Sequence, residues 1–517
     1  MPVRSTSISF RQTGKFSTLF CDYSENHPGL KSFHAGFPDL VNIENSIPER
    51  LRTFPQKNRE LLRRILGAQT RSAAFHPEQE LNLHRIAAEN CLTVSCGHQL
   101  CIGGGPQYLL FKILTVIRLV EMLQEQFPEQ HFVPLFWMAG EDHDIEEIQQ
   151  LQFFGRKYRI EVQGSGPCGQ LSTKGIAEQL QSIPDFPEAM VSAYETSENL
   201  SEATRKWLHH YFGNRGLLVL DADDPELKRI FLPEMLSEFH GPALAEKVRR
   251  QTEGLEALGY HAQLHCRNLN LFFMDSGFRS RLEKTESGIR TADGRYEWTQ
   301  EEANSFFTEH PEKLSPNACL RPLYSQKILP DLAFAGGPAE IAYWLQLKTA
   351  FSHHGIFFPM LIPRFSALLL PQSRFDKLQK LGLRPEELFL DPVVLRRKIA
   401  LGEEKIPEPA LKETFAGLLA FAQKFDSGTA ASLEADLSRM EDQVQNMIRK
   451  VRRAAEKKSE NSLNQLEKLL EYCYPEGSLL ERTESWLSTV VQNPDLPDLL
   501  KKEIRPLDFQ FQVCETG

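Results

Sequence analysis

Two clusters of polar side chains stand out against apolar surroundings. The first runs from His98-Gln99 through the turn Gly103-Gly104-Gly105-Pro106 to Tyr108 and Lys112, and resumes at Glu141-Asp142-His143-Asp144. Three glycines let a backbone approach a ligand closely, and a helix opening at Pro106 would offer unpaired N–H groups and a partial positive charge to an anion. Tyr108, Lys112 and Thr115 form a polar stripe on an otherwise apolar segment. Lys112 either points at an anion held near the turn or carries its ammonium out to water along a core helix. In the acidic stretch one carboxylate, Asp144, suits the cap of a following helix. Asp142 and His143 are then left without a structural task. A carboxylate can orient an imidazole, and an imidazole titrating near neutrality can take a proton.

The second cluster comprises Asn317, Arg321 and Tyr324, then Gly336-Gly337-Pro338 with Glu340, Tyr343 and Trp344 close behind. The planar fork of Arg321 binds two oxygens at once and is a natural carboxylate clamp. Glu340 either caps a helix or meets a substrate amine. Between the clusters, Asp221, Asp223 and Asp224 precede Pro225, an arrangement that caps a helix, with metal or amine binding as the alternative. Neither glycine turn is a standard phosphate fingerprint, since no Gly-Lys-Ser/Thr follows and the spacing is not G-x-G-x-x-G.

The elements that must hold these groups are legible in the same stretches. Leu92–Cys96 reads as a short buried strand, Tyr108–Leu123 as a helix by the recurrence of its apolar residues, and Val133–Ala139 as a second buried strand. Strand, glycine turn, helix and strand make one βαβ unit, expected to be right-handed, with a ligand crevice beyond the strand C-termini. Gly216–Leu220 is a further strand, followed by a helix from Pro225. The layout recurs as a strand at Leu332–Ala335, the Gly336-Gly337-Pro338 turn, a helix to about Phe351 and a strand at Ile356–Ile362. Two Gly-Gly-Pro turns at strand ends suggest two contact points lining one crevice. Glu49–Leu66 reads as one amphipathic helix, and residues 150–215 and 226–312, the latter with a β-rich piece at 262–274, read as insertions.

At this level the motifs resemble a known family. Gly97-His98-Gln99, Gly103–Pro106, Lys112, Phe136–Asp144, Leu218–Pro225, Leu320–Tyr324 and Ala335–Trp344 together are similar in order and spacing to the bacillithiol biosynthesis cysteine-adding enzymes, the BshC family of cysteine ligases. The likeness covers about residues 1–371 and is looser beyond. It departs at His98, where the family pattern has a glutamine. The resemblance implies an α/β fold, a Rossmann-like parallel-sheet core of the class I aminoacyl-tRNA synthetase type, with a C-terminal helical coiled-coil arm used in dimerisation. It also implies addition of L-cysteine to the amine of glucosaminyl malate. Forming an amide requires an activated carboxylate, and ATP-dependent adenylation is the obvious route for such a core; no metal is expected, and the residues leave any other cofactor open. The site expected from these readings has His143 as base, Asp142 positioning the amine or the ring, and Lys112 and His98 offsetting developing negative charge. Gly103, Gly104, Gly105, Gln99, Tyr108, Glu141, Asp144, Asn317, Arg321, Tyr324, Gly336, Gly337, Glu340 and Tyr343 are expected to hold the substrates. Two rivals use the same residues differently. A metal-dependent hydrolase would take His98, His143, Asp142 and Asp144 as ligands, although no His-x-x-x-His pair supports it. A non-catalytic nucleotide-binding scaffold built on the coiled coil is the other.

Composition narrows the classes. With 517 residues, 41% hydrophobic content and no repeat, the chain can bury a large core in two or three domains. A net charge of −10 argues against a nucleic-acid partner. The longest apolar runs fall far short of the ~20 residues that span a bilayer, and Met1-Pro2-Val3-Arg4-Ser5 lacks a signal-peptide core, so a cytoplasmic protein with no membrane partner is expected. Nine scattered cysteines without C-x-x-C argue against a disulfide or zinc framework, and Cys96 and Cys101 read as small packing residues. From 372 to 474 the chain turns helical. Leu433, Leu437, Met440, Val444, Met447, Val451 and Ala454 follow a heptad, which breaks near Lys458 and resumes at Leu463. An intrachain hairpin or an intermolecular coiled coil would satisfy it. The basic run Arg449–Lys458 reads as a solvated helix face, and 475–517 as a tail packing on the core.

Overall fold

The computed structural model describes residues 3–70, 75–402, 404 and 406–517. It divides into two units, residues 1–368 with 479–512, and residues 369–478 with 513–517. The C-terminal segment expected to pack on the core is thus shared, since 479–512 fold with the first unit and the residues flanking them with the second.

The first unit is built on five strands, β1 (Cys91–His98), β2 (His131–Met138), β3 (Leu218–Asp221), β4 (Asp331–Gly336) and β5 (Met360–Pro363). All pair in parallel in the order β5-β4-β1-β2-β3. Such a sheet is covered on both faces, which is why its strands are continuous apolar runs rather than alternating ones. The register sets His98 opposite Met138, Met138 opposite Asp221 and Gly336 opposite Pro363, so the strand C-termini share one rim. The order grows outward from β1 in both directions. The switch point between β1 and β4 is where an open α/β sheet leaves a crevice.

Four helices frame that rim: α1 (Gln107–Gln126), α2 (Pro225–His240), α3 (Arg321–Ile328) and α4 (Pro338–Trp344). Helix α1 is buried around most of its circumference as far as Leu123, as expected of a helix apolar on nearly all sides. Helix α4 stops at Trp344 and a separate helix covers Lys348–His354, so the single helix expected to Phe351 is two. The expected helix Glu49–Leu66 is likewise divided, into Leu40–Thr53 and Gln56–Gln69. Pro55 between them cannot donate a backbone hydrogen bond and holds an extended conformation at the junction.

The segment between β2 and β3 carries a hairpin (Gln150–Phe153 with Arg156–Arg159) and four α-helices. Between β3 and β4 lies a five-stranded antiparallel sheet that starts at Leu271 and closes with Leu314–Pro316. The β-rich piece therefore sits later than the expected 262–274 and outlasts residue 312. A short helix, Trp486–Gln492, packs on α1.

The second unit is mainly helical: after helices at Gln372–Lys380 and Pro392–Leu401 come α5 (Leu411–Gln423), α6 (Ser427–Lys458) and α7 (Glu460–Cys473). Helices α5 and α6 pack as a hairpin. Asp426 caps α6 through Thr429 N–H, and the helix ends where the heptad breaks. Among the described residues, no helix is long and apolar enough to cross a membrane.

Candidate active site

A cavity of about 420 Å³ opens at the switch point, within the usual range for small-molecule sites. Ser95, Gly97, His98 and Gln99 come from the end of β1, and Tyr108 and Lys112 from the first turns of α1. Arg321 and Ser325 come from α3, and Gly337, Glu340 and Tyr343 from the start of α4. Arg364 stands immediately beyond β5, Arg482 on the segment returning from the second unit, and Glu147 on the short helix after the acidic loop.

Lys112 joins the two glycine turns. Its ammonium donates to the carbonyl of Gly97 at 2.9 Å and lies 2.5 Å from the Glu340 carboxylate. Glu340 in turn accepts from Gly337 N–H at 2.7 Å, capping α4. Lys112 thus neither reaches water nor stands free for an anion: it is buried and paired. His98 stacks on Tyr108 with ring centroids 5.2 Å apart, Nε2 2.9 Å from the hydroxyl. Burial first, then the nearby Lys112 and Arg364 cations, lower the His98 pKa far below its ordinary value. The imidazole is neutral at physiological pH and cannot supply the positive charge expected of it.

The acidic loop distributes its four side chains differently from expectation. Asp142 accepts from Gln99 at 3.0 Å and from the backbone N–H of His143, with Arg321 3.7 Å away. Burial alone would raise its pKa; Arg321 and the Gln99 amide outweigh that and hold it below the usual carboxylate range. His143 turns away toward Arg279, whose Nη1 lies 2.7 Å from Nδ1. A guanidinium can only donate, so Nδ1 is the acceptor and the neutral ring carries its proton on Nε2. Burial and Arg279 also lower its pKa. With its lone pair engaged and its ring outside the cavity lining, His143 is not placed to act as the base. Glu141 is buried on Lys228 at 2.7 Å, and Lys228 also meets Asp223 at 2.6 Å. This pins the ends of β2 and β3 to α2. Asp144 caps Ile145–Ile148 through Glu147 N–H.

Several other expected contacts are structural. Gly103, Gly104 and Gly105 lie outside the cavity lining: Trp486 donates from Nε1 to Gly104 O at 2.6 Å, and Glu484 O accepts from Gln107 N–H at the start of α1. Protein, not ligand, occupies the approach those glycines allow. Asn317 caps the turn into α3 through Cys319 and Leu320 N–H. Tyr324 is fully buried, donates to Ala222 O at 2.8 Å and packs edge-on against Trp137. Gly336 accepts from Arg364 N–H within the backbone. The hydrolase ligand set does not assemble, since His98 faces Tyr108 and His143 faces Arg279; among the described residues no group of three or more His, Cys, Asp or Glu is arranged to hold a metal.

Three charged crevice residues were missed from sequence: Glu147, Arg364 and Arg482. Arg364 carried a signal, its position one residue past a strand C-terminus. Glu147 was hidden among acidic neighbours, and Arg482 arrives from a segment remote in the chain.

A five-stranded parallel sheet with this order and a polar crevice at its switch point defines a Rossmann-like domain with a cavity of small-molecule size. Residues 3–365 match the family model for the bacillithiol biosynthesis BshC N-terminal Rossmann-like domain, and residues 367–516 match that for the BshC C-terminal coiled-coil domain. The chain belongs to the BshC family. It is 34% identical over 515 residues to the "Putative cysteine ligase BshC" of Cytophaga hutchinsonii, covering 98% of each chain. It is 32% identical to the protein of the same name from Flavobacterium johnsoniae, again covering 98% of each, and 28% identical to that of Chlorobaculum tepidum, covering 90% of this chain and 91% of the relative.

Proposed function

We propose that this chain is a cytoplasmic ligase that joins the carboxyl group of L-cysteine to the amine of glucosaminyl malate, with ATP as the activating cosubstrate. The observation that carries this reading is the crevice at the switch point of a family Rossmann core, lined by the cations Arg321, Arg364 and Arg482 and by the carboxylate of Glu147. Adenylation would convert the cysteine carboxylate to an acyl donor with loss of pyrophosphate. Attack by the amine would then form the C–N bond, release AMP and shed one proton. Arg321 and Arg482 supply positive charge to the anionic substrates, and the neutral His98–Tyr108 pair supplies hydrogen-bonding groups. The proton falls to Glu147. It lines the crevice, and burial raises its pKa above the glutamate value. Asp142, held ionised by Arg321 and already accepting several hydrogen bonds, is a positioning group for Gln99 and Arg321. The helical arm joins two copies of the chain.

The test is reconstitution. Purified protein with L-cysteine, glucosaminyl malate and ATP should yield the cysteinyl amide by mass spectrometry, with AMP in equal amount. Absence of product in complete mixtures, with either AMP or ADP release unstimulated by the amine, would overturn the reading.

A further inference from the structure

The guanidinium of Arg364 is 3% exposed and almost completely engaged. Nη1 donates to Phe365 O and Ser366 Oγ, each at 2.8 Å, and Nη2 donates to Glu481 Oε1 at 2.8 Å. Glu481 is itself buried and also accepts from Ala367 N–H. One donor is left. Arg364 Nε has no hydrogen-bond partner among the described residues, although it is buried. A buried unpaired donor costs free energy comparable to a lost hydrogen bond, and a charged one costs more.

The direction of that donor is set by what surrounds it. A Cβ placed on Gly337 would lie 3.3 Å from Glu340 Oε2, 3.6 Å from Arg364 Nε and 4.0 Å from Lys112 Cε. Gly337 lines the crevice, and its backbone there is an ordinary extended one, so no positive φ demands glycine. With no side chain there, only the Gly337 backbone stands beside Nε at the crevice wall. On the other side the guanidinium lies 5.3 Å over the Tyr108 ring, another crevice residue.

We propose that Arg364 Nε, reached past Gly337, is the contact for an oxyanion of the substrate, a carboxylate or a phosphoryl oxygen. The inference deepens the ligase reading and rests on it only for the identity of the ligand. Glu481 neutralises the charge of Arg364 and, with Phe365 O and Ser366 Oγ, fixes its guanidinium in place. The ligand then gains a preorganised donor with little ordering cost. Lys112 is spent on Glu340 and Gly97, which leaves Arg364 as the better-aimed donor at the switch point.

The test uses two small probes, sodium malate for a carboxylate and inorganic pyrophosphate for a phosphoryl group, titrated calorimetrically into the full-length protein. Two variants are compared with wild type. Arg364→Lys keeps a cation for Glu481 but removes the Nε donor, and Gly337→Ala leaves the ion pair intact while covering Nε. One probe should bind wild type and lose roughly tenfold or more in affinity in both variants, the size expected for a charge-assisted hydrogen bond. Which probe loses identifies the source. Wild-type affinity for both probes in the Gly337→Ala variant overturns the proposal, as does failure of wild type to bind either. Should Arg364→Lys fail to fold, Gly337→Ala decides alone. Amide synthesis by wild type is measured in parallel. Arg364-dependent binding without synthesis would sink the ligase reading and leave this site standing; synthesis with unchanged binding would do the reverse.

Discussion

At the scale of single residues, the crevice separates groups by what their neighbours have already claimed. Asp142, His143 and Glu340 all carry acceptors, but each lone pair that matters is taken, by Gln99, Arg279 and Lys112 respectively. Glu147 is the carboxylate with a raised pKa on the crevice wall. A base must be deprotonated to work, so activity should fall as pH drops through its pKa, at a pH above the ordinary glutamate value of 4.5. Glu147→Gln is expected to lower turnover by about 10²-fold or more and to erase that acidic limb from the kcat/KM profile. His143→Asn should leave the limb in place. Loss of the limb in the histidine variant instead would return the base to His143. The sequence showed the acidic loop as chemical because residue types are visible and partners are not. Lys228 and Arg279, which settle the roles of Glu141 and His143, are brought in by the insertion after β3.

At the scale of elements, the two strand–glycine–proline–helix units were legible, because buried parallel strands and the Gly-Gly-Pro breaks leave local signatures. What the turns face was not. Gly104 has φ +87°, and a Cβ there would lie 2.9 Å from Trp486 Nε1. Gly104→Ala should therefore cost roughly 2–4 kcal/mol through strain and overlap with a fixed indole. A lowered denaturation midpoint, with ligand affinity in the crevice retained where the variant is folded, is the expected result; a stability equal to wild type would show that the indole yields. A second element-level tie lies at the start of β4. Asp331 accepts from Thr93 Oγ1 and Ser95 Oγ on β1 and from Gln326 on α3. Burial, only partly offset by those donors, pushes its carboxyl up to about 7. The folded chain thus holds this proton more tightly than the unfolded one. The stabilisation is complete below the unfolded pKa near 3.8 and is lost as pH rises to about 7. Asp331→Asn cannot ionise. Its melting temperature relative to wild type should rise by roughly 1–3 °C between pH 5 and pH 8. A pH-independent difference would remove Asp331 from the account.

At the scale of the whole molecule, the open matter is what the helical unit is for. The heptad in α6 was legible as a stripe, but one stripe cannot say which face is met within the chain. Leu437 is buried in the hairpin with α5, so charging it would disrupt the arm itself rather than report on assembly. Helix α5 has 13 residues against 32 in α6. At 1.5 Å per residue it covers about 20 Å of a helix about 48 Å long. The helix Pro392–Leu401 also packs on α6 and Ile448 is buried, yet Met447 and Val451 on the neighbouring face are 61% and 52% exposed, in line with Met440. Apolar residues repeating on a long exposed helix are what a second helix of the same kind covers. Met447→Glu with Val451→Glu places like charges against one another across such a seam, while in a single chain both side chains already face water. Light scattering should give wild type twice the chain mass of 59.1 kDa and the double variant a single chain mass, with its melting temperature little changed. A double variant that keeps the wild-type mass, or a wild type that is itself monomeric, would show that this face of the arm does not join two copies.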